Sequence, residues 1–140
     1  MILPIPATHL DLLTQPVHGV LTTLMPDSQP QSTLVWCDYD GECACMNTTL
    51  ERQKGRNLAV DPRATLLLVD PEDTGRYMEI RGEAELVHEG ALAHLDSLTR
   101  KYTCHPQFYG YVYPETQAAQ ETRVICRIHP CKITLDAIHR

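Results

Sequence analysis

Residues 47–58 (Asn-Thr-Thr-Leu-Glu-Arg-Gln-Lys-Gly-Arg-Asn-Leu) constrain the fold of this chain more than any other segment. They follow an apolar stretch that is typical of a strand. Thr48 and Glu51 have the spacing of a capping box, which predicts that a helix begins here with its free N–H groups pointing outward. Two adjacent hydroxyls and a group of cations lie within about two turns of those donors. The cations are Arg52, Lys54 and Arg56.

A helix start of this kind favours an anion, most simply a phosphate, because N–H groups, hydroxyls and positive charge converge on it. The alternative is a well-capped surface helix whose basic face is only solvated. The cluster stands out because the chain is acidic, with 18 Asp and Glu residues against 12 Lys and Arg residues and a net charge of −6. That balance argues against a general nucleic-acid-binding protein.

The length of 140 residues predicts a single domain, residues 1–140, with one sizeable core. No apolar stretch is long enough to form a membrane-spanning helix, so no membrane partner is expected. The first six residues lack the basic start of a signal peptide. These features together predict a cytoplasmic protein.

The six cysteines are expected to be free thiols, as is usual in a reducing compartment. Cys43 and Cys45 share one face of a predicted strand, and Cys126, His129 and Cys131 form a second group near the end of the chain. There is no CxxC pair, and neither group has a matching partner at zinc-site spacing. The spacing therefore predicts no metal site.

Most of the chain is predicted to be β-structure. Strands are expected at 17–25, 32–39, 42–47, 64–69, 77–87, 124–128 and 133–135, and helices at 8–15, 48–61 and 89–102. The continuous apolar run of 64–69 is typical of a fully buried strand. The Asp-Gly pair at 40–41 is typical of a hairpin turn. Gly82 indicates a bulge within its strand, and Pro130 indicates an edge or a bulge.

The two outer helices have specific sequence signals. Thr8 is expected to cap the first helix, and Leu92, Leu95 and Leu98 are expected to share one side of the last. The irregular segment 103–120 is long for a loop in so small a domain, and such loops are usually functional or meet a partner. Six or seven strands with two or three helices predict a small, mainly β (α+β) antiparallel barrel.

Two motifs carry a resemblance to a known family. Residues 47–62 end in Lys-Gly-Arg-Asn-Leu-Ala-Val-Asp-Pro, and residues 76–86 read Arg-Tyr-Met-Glu-Ile-Arg-Gly-Glu-Ala-Glu-Leu. In this order and spacing they resemble the pyridoxamine 5′-phosphate oxidase-related family of split β-barrels, particularly its flavin/deazaflavin oxidoreductase branch. The likeness covers residues 17–86 well and the last third more loosely. It implies a homodimer with a cofactor in each of two clefts between the subunits.

The resemblance also implies which residues bind the cofactor. The phosphate would be held by Thr48, Thr49, Gln53 and Lys54, supported by Arg52 and Asn57. The strand that carries Thr33, Val35 and Trp36 would line the ring system. Tyr77 would reach the cofactor from the neighbouring subunit.

Two departures bear on the activity. Asp38 stands where the vitamin B6 oxidases have a lysine, and no tryptophan follows Trp36. The chain therefore resembles the short members that use the deazaflavin F420 for two-electron reduction of a small conjugated substrate. An FMN-dependent oxidoreductase of the same fold is the first alternative, since FMN shares the tricyclic ring, ribityl chain and first phosphate. A non-catalytic flavin- or haem-binding protein is the second.

No catalytic residue is assigned by the sequence, because hydride chemistry belongs to such a cofactor rather than to the protein. Candidate proton donors in the irregular segment are His105, Tyr109 and Tyr111. His18 is the histidine expected nearest to the cleft. The oligoglutamate tail of F420 would need further cations, for which Arg56, Arg63 and Arg76 are available.

Overall fold

The computed structural model describes residues 3–136, which contain seven strands and three α-helices. The strands are β1 (Gly19–Leu24), β2 (Pro30–Val35), β3 (Cys37–Tyr39), β4 (Ala44–Thr49), β5 (Arg63–Val69), β6 (Tyr77–Val87) and β7 (Arg123–Leu135). The α-helices are α1 (Asp11–Thr14), α2 (Gln53–Val60) and α3 (Ala91–Tyr102), and 3-10 turns cover Ala7–His9 and Glu115–Gln120. No helix within 3–136 is long and apolar enough to span a membrane.

One antiparallel sheet contains all seven of these strands, in the order β2-β1-β5-β6-β7-β4-β3. The two edge strands, β2 and β3, are separated along the chain by Trp36 alone. One residue spans only about 3.3 Å, so the two edges must meet at this point and the sheet curls into a split barrel. The mainly β split barrel expected from the sequence is confirmed.

The prediction of one strand at 32–39 was wrong, because the chain changes pairing partner at Trp36. β2 pairs with β1, and β3 pairs with β4 on the other side of the barrel. The sequence of residues 32–39 does not indicate this change, because the parts before and after Trp36 both have an ordinary strand composition.

The bulge expected at Gly82 is confirmed. The register of β6 against β7 shifts between Arg81 and Gly82, and Gly82 stands opposite Pro130. A Cβ atom on Gly82 would lie 2.0 Å from the carbonyl oxygen of His129, which explains why the position needs glycine. The two strands expected at 124–128 and 133–135 are one continuous strand, β7, with the bulge absorbing the proline.

The barrel core is filled by the inward faces of the strands and by α1. Its largest fully buried side chains include Leu12, Leu13, Leu21, Met46, Leu66, Leu68, Met78, Ile80 and Ile128. β5 was expected to be buried on both faces, but its residues alternate between buried and partly exposed. Leu67 and Val69 face away from the core, where they line a surface hollow.

The two outer helices differ from expectation. The segment predicted as a helix at 8–15 forms a 3-10 turn followed by the single turn of α1, and the Thr8 hydroxyl bonds His9 Nδ1 rather than a backbone N–H. In α3, Leu95 and Leu98 are buried but Leu92 is 52% exposed. Two steps of three residues rotate a helix by about 120° away from the starting direction, so Leu92 and Leu98 cannot share a side.

The hairpin expected at 40–41 is confirmed, and Asp40 holds it. Asp40 Oδ1 accepts hydrogen bonds from the N–H groups of Glu42 (2.9 Å) and Cys43 (2.7 Å), and Oδ2 accepts one from Arg127 Nε (2.7 Å). Partial burial alone would raise the pKa of Asp40, but the hydrogen bonds from Cys43 and Arg127 outweigh it and lower that pKa to about 2. Gly41 takes the left-handed conformation that the turn needs, with φ of 100°.

This carboxylate makes fold stability depend on acidity. The folded-state pKa of Asp40 lies below its ordinary value of 3.8, so its contribution is present above pH 3.8 and is lost as the pH falls towards 2. We expect Asp40→Asn to unfold with a shallower dependence on pH over this window than the unmodified chain. Urea unfolding at pH 2–5 measures the free energy of unfolding of both proteins. Equal slopes of that free energy against pH would show that Asp40 does not cause the dependence.

Candidate functional site

Residues 47–58 end a strand before they begin a helix. Thr48 and Thr49 complete β4, where they pair with β7, and α2 starts only at Gln53 without a side-chain cap. The predicted capping box was therefore wrong. Glu51 accepts a hydrogen bond from the N–H of Thr122 (2.6 Å) instead of capping the helix. Pairing with β7, a partner more than seventy residues away, overrides the local signal.

Helix α2 packs closely on the end of β4. A Cβ atom on Gly55 would lie 1.9 Å from the carbonyl oxygen of Thr49, so glycine alone permits this approach. The buried Asn57 donates to Thr23 Oγ1 (3.0 Å) and accepts from Gln53 Nε2 (2.8 Å). These contacts attach α2 to the barrel and set the position of Lys54 beside Gly55.

A cleft of about 380 Å³ opens where the two sheet edges meet at Trp36. That volume is within the range of small-molecule sites, about 300–1,000 Å³. The cleft lies among β2, β4, α3 and the irregular segment 103–120. Its lining residues are His18, Leu34, Val35, Trp36, Asn47, Arg52, Lys54, Leu95, Leu98, Phe108, Val112, Tyr113 and Arg123.

One side of the cleft is aromatic. The indole of Trp36 stacks on Tyr102, with ring centroids 5.5 Å apart and planes 11° apart, and meets the edge of Phe108 at 6.3 Å. Tyr102 Oη donates to the carbonyl oxygen of Val17 (2.6 Å), which holds the stack in place. His18 packs edge-on against Tyr102 at 5.3 Å. This side offers a fixed apolar surface to a flat ligand.

The cleft is also cationic, and its arginines contact aromatic rings: Arg123 lies 4.7 Å from the centroid of Phe108 and Arg52 lies 5.5 Å from that of Tyr113. Arg123 pairs with Glu121 at 2.9 Å, and Arg52 approaches the same carboxylate at 3.7 Å. Lys54 Nζ donates to Thr33 Oγ1 (3.1 Å), and no carboxylate among residues 3–136 lies within 4.0 Å of it. Glu121 is the one carboxylate that pairs with this group of three cations, and it contacts the two arginines only, which leaves a formal surplus of two positive charges. Burial lowers the pKa of Lys54, and the charges of Arg52 and Arg123 lower it further.

An oriented amide links Arg123 to α3. Asn47 Nδ2 donates to the carbonyl oxygen of Ala91 (2.8 Å) and lies 3.1 Å from His94 Nδ1. His94 Nε2 in turn lies 2.9 Å from Asp38 Oδ1. With its amide nitrogen used in this way, Asn47 presents Oδ1 to Arg123 Nη1 at 3.4 Å. The guanidinium is thus held from two sides.

The structure brings together part of the predicted site. Val35, Trp36, Arg52 and Lys54 line the cleft, and Thr33 contacts Lys54. Thr48, Thr49 and Asn57 are buried, and Gln53 bonds Asn57 rather than lining the cleft. The hydroxyl of Thr48 has no hydrogen-bond partner among the described residues. Tyr77 lies elsewhere in this chain, in the surface hollow on the outer face of the sheet.

Several lining residues were missed by sequence reasoning. Arg123 was treated only as the residue before a strand, although β7 places it opposite Thr49. Phe108 and Tyr113 come from the irregular segment, which had been marked as functional without naming either. His18 does line the cleft, as expected. The available signal for Arg123 was a basic residue directly before a buried strand.

The three candidate proton donors lie in different surroundings. Tyr109 is buried and its hydroxyl contacts Glu121 and Arg123, so it belongs to the ion-pair cluster. Tyr111 and His105 are exposed and stack loosely on each other at 5.4 Å, and neither lines the cleft.

Comparison with known proteins gives the same fold and a family. The chain is similar to an F420 reductase over 93% of its own length and 98% of that chain, with 31% identity and a TM-score of 0.78. It is also similar to the conserved hypothetical protein Rv2991 from Mycobacterium tuberculosis, with 28% identity, a TM-score of 0.70 and coverage of 96% and 85%. A putative pyridoxamine 5′-phosphate oxidase from Listeria innocua shares the fold at 22% identity, a TM-score of 0.67 and coverage of 91% and 94%.

A family model extends this likeness to nearly the whole chain. Residues 5–135 match the model of pyridoxamine 5′-phosphate oxidase, from the first core residue to the end of β7. The match includes α2, the strand change at Trp36 and the bulged β6–β7 pair. This chain belongs to the pyridoxamine 5′-phosphate oxidase family of flavin-binding split barrels.

Proposed function

We propose that the cleft binds F420 and that the protein is an F420-dependent oxidoreductase that reduces a small conjugated substrate by two electrons. The observation that carries this proposal is that a fixed aromatic surface and three cations line one cleft, with a single carboxylate that pairs with two of those cations. A ligand that carries both a flat ring and a phosphate matches these two features. The 31% identical F420 reductase supports the choice of cofactor.

The residues present fit such a group. Lys54 is the cation best placed to hold a phosphate, because its one hydrogen-bond partner within residues 3–136 is the Thr33 hydroxyl, and Arg52 and Arg123 add charge beside it. Trp36 would lie against the ring system, with backbone groups of Val35 at its edge. The bound cofactor supplies the hydride chemistry, while these side chains bind it, orient it and exclude water.

Two of the three cations that the sequence suggested for the oligoglutamate tail of F420 already have carboxylate partners. Arg63 pairs with Asp61 at 2.7 Å, and Arg76 pairs with Asp70 at 3.0 Å, so both are already neutralised. A second hollow of about 420 Å³ shares Arg52 with the cleft and is lined also by Gln117 and Glu121. That hollow adds no free cation, because Glu121 already pairs with Arg52. We propose that Arg56 meets the tail, because its hydrogen-bond partners among the described residues are only the Glu51 carbonyl oxygen and Gln53 Oε1.

FMN is the second candidate, because the same cations would hold its phosphate equally well. A homodimer is part of either proposal. The surface hollow that contains Tyr77 measures about 520 Å³, and Leu34 beside the cleft is 69% exposed. Two copies that pack these regions together would cover an exposed apolar side chain and bring Tyr77 to the partner's cleft.

Parallel fluorescence titrations with F420 and with FMN test the proposal. Tight binding of F420 with weak binding of FMN supports it and directs a substrate screen with the reduced cofactor. Tight binding of FMN alone would replace F420 by FMN. Binding of neither would overturn the cofactor assignment. Binding of haem instead, with a spectrum that changes in His18→Ala, would favour the non-catalytic alternative, since His18 lines the cleft.

Lys54→Met is expected to weaken cofactor binding by about 1–3 kcal/mol, roughly 5- to 150-fold, because it removes a hydrogen-bond donor to a charged group. The methionine keeps the apolar stem that packs in the cleft. The matched control is Lys132→Met, which removes an exposed lysine far along β7. Equal affinities for the two variants would remove Lys54 from the phosphate site.

A further inference from the structure

A cluster of side chains that could bind a metal ion lies at the other end of the β4–β7 pair. Cys43 directly precedes β4, and extending the pairing of Ala44 with Ile128 places it opposite His129. Cys43 Sγ is 3.5 Å from His129 Nδ1. These two atoms and a carboxylate oxygen of Glu42 all lie within 4.8 Å of one another.

The spacing of the sulfur and nitrogen atoms fits a shared metal ion. A tetrahedral zinc ion with a Zn–S bond of about 2.3 Å and a Zn–N bond of about 2.05 Å requires the two ligand atoms to be about 3.6 Å apart. The separation of 3.5 Å between Cys43 Sγ and His129 Nδ1 therefore needs almost no adjustment.

The histidine is already oriented as a ligand. His129 Nε2 lies 2.9 Å from Glu85 Oε1, which leaves Nδ1 to face the sulfur. A carboxylate on the second ring nitrogen is the usual outer partner of a zinc-bound histidine. Gly82 adds to this order, because its bulge fixes the backbone of β7 at His129.

The surrounding charges favour a cation. Three carboxylates, Asp40, Glu42 and Glu85, lie near Cys43 together with Arg127, which pairs with Asp40 and Glu85, so negative charge predominates. The turn is also rigid, because Asp40 accepts hydrogen bonds from the backbone N–H groups of both Glu42 and Cys43. Cys43 is buried, whereas Glu42 is exposed, so an ion would reach the sulfur from the Glu42 side.

We propose that Glu42, Cys43 and His129 form a Zn²⁺ site, with water in the fourth position, that fastens the β3–β4 hairpin to β7. Binding forms a Zn–S bond, and the thiol proton passes to solvent. His129 is six residues from Arg123, about 20 Å along β7, so the site is separate from the cofactor cleft. The sequence predicted no metal because it treated Cys43 and His129 as members of two unrelated groups.

The test uses the reduced, full-length protein and zinc alone. Competition with a chromophoric chelator is expected to give one Zn²⁺ per chain, and Co²⁺ in its place is expected to show a thiolate-to-cobalt charge-transfer band. Cys43→Ser is expected to abolish that band. Cys131→Ser is the matched control, because it removes an exposed cysteine two residues from His129 and should leave the band unchanged.

Glu85→Gln supplies a readout that does not remove a ligand. It should lower zinc affinity roughly 10- to 100-fold while the band persists, since it keeps all three ligands and changes the partner that His129 shares with Arg127. Zinc should also raise the Tm of the unmodified protein and not that of Cys43→Ser. Absence of stoichiometric zinc, a cobalt spectrum without the band, or an equal effect of Cys131→Ser would each overturn the proposal and leave an S–H···N hydrogen bond.

Discussion

Gly55→Ala is expected to destabilise the protein by about 2 kcal/mol or more, although alanine is the better helix former. Alanine gains about 1 kcal/mol over glycine within a helix. Against this, the new Cβ atom would lie 1.9 Å from the carbonyl oxygen of Thr49 and 2.9 Å from its carbon. Backbone atoms cannot rotate away, so the cost is at the upper end of the overpacking range of about 1–3 kcal/mol or above it.

Urea unfolding measures this change, and Val60→Ala is its control in the same helix. Val60 is 84% exposed, so its replacement should alter the free energy of unfolding by no more than about 0.5 kcal/mol. Cofactor affinity should also fall in Gly55→Ala, because a displaced α2 moves Lys54. A Gly55→Ala protein as stable as the unmodified one would mean that α2 does not approach β4 this closely.

Arg123→Met is expected to cost about 3 kcal/mol of stability, the lower end of the range for breaking a buried ion pair. Arg123 and Glu121 are each only 7% exposed, and they lie 2.9 Å apart. Removing the guanidinium leaves the carboxylate buried, and the cation that remains near it in the described part of the chain is Arg52, 3.7 Å away. The variant also loses the guanidinium that lies 4.7 Å above the ring of Phe108.

The double variant Arg123→Met with Glu121→Leu separates stability from binding. Replacing both members of a buried pair by apolar residues is often neutral, so much of the lost stability should return. Cofactor affinity should recover only in part, because the formal surplus of two positive charges is restored but the guanidinium that would bond the anion is still missing. Thermal unfolding and a fluorescence titration on the same samples measure the two effects. Full recovery of affinity would exclude Arg123 from the anion site.

The parts of the fold that the sequence predicted are those governed by local conformation. Gly82 and the turn at 40–41 were correctly assigned because a glycine inside a strand and an Asp-Gly pair are local signals of a bulge and of a hairpin turn. The capping box at Thr48 failed because the competing interaction is a ladder with β7, which lies far away along the chain. The prediction of one strand at 32–39 failed for the same reason, because the change of pairing partner at Trp36 depends on strands that are distant along the chain.

The site residues that the sequence predicted are likewise those that belong to local motifs. Lys54 and Trp36 were identified from motifs, and both line the cleft. Arg123 and Phe108 belong to no motif, and only the pairing of β7 and the path of the irregular segment bring them to it. Because the cations come from separate parts of the chain, no single segment of the sequence shows the full charge of the cluster.

The position of β7 has a consequence for how the protein is made. It is the last of the seven described strands to leave the ribosome, yet it lies inside the sheet between β6 and β4. β4 ends at Thr49 and β7 at Leu135, so at 5–20 residues per second the β3–β4 hairpin waits roughly 4–17 seconds for its partner. Until then the nascent chain exposes two unpaired strand edges, which are templates for aggregation. Slow translation of the last third of the message would therefore lower the yield of folded protein, and early chaperone binding would protect it.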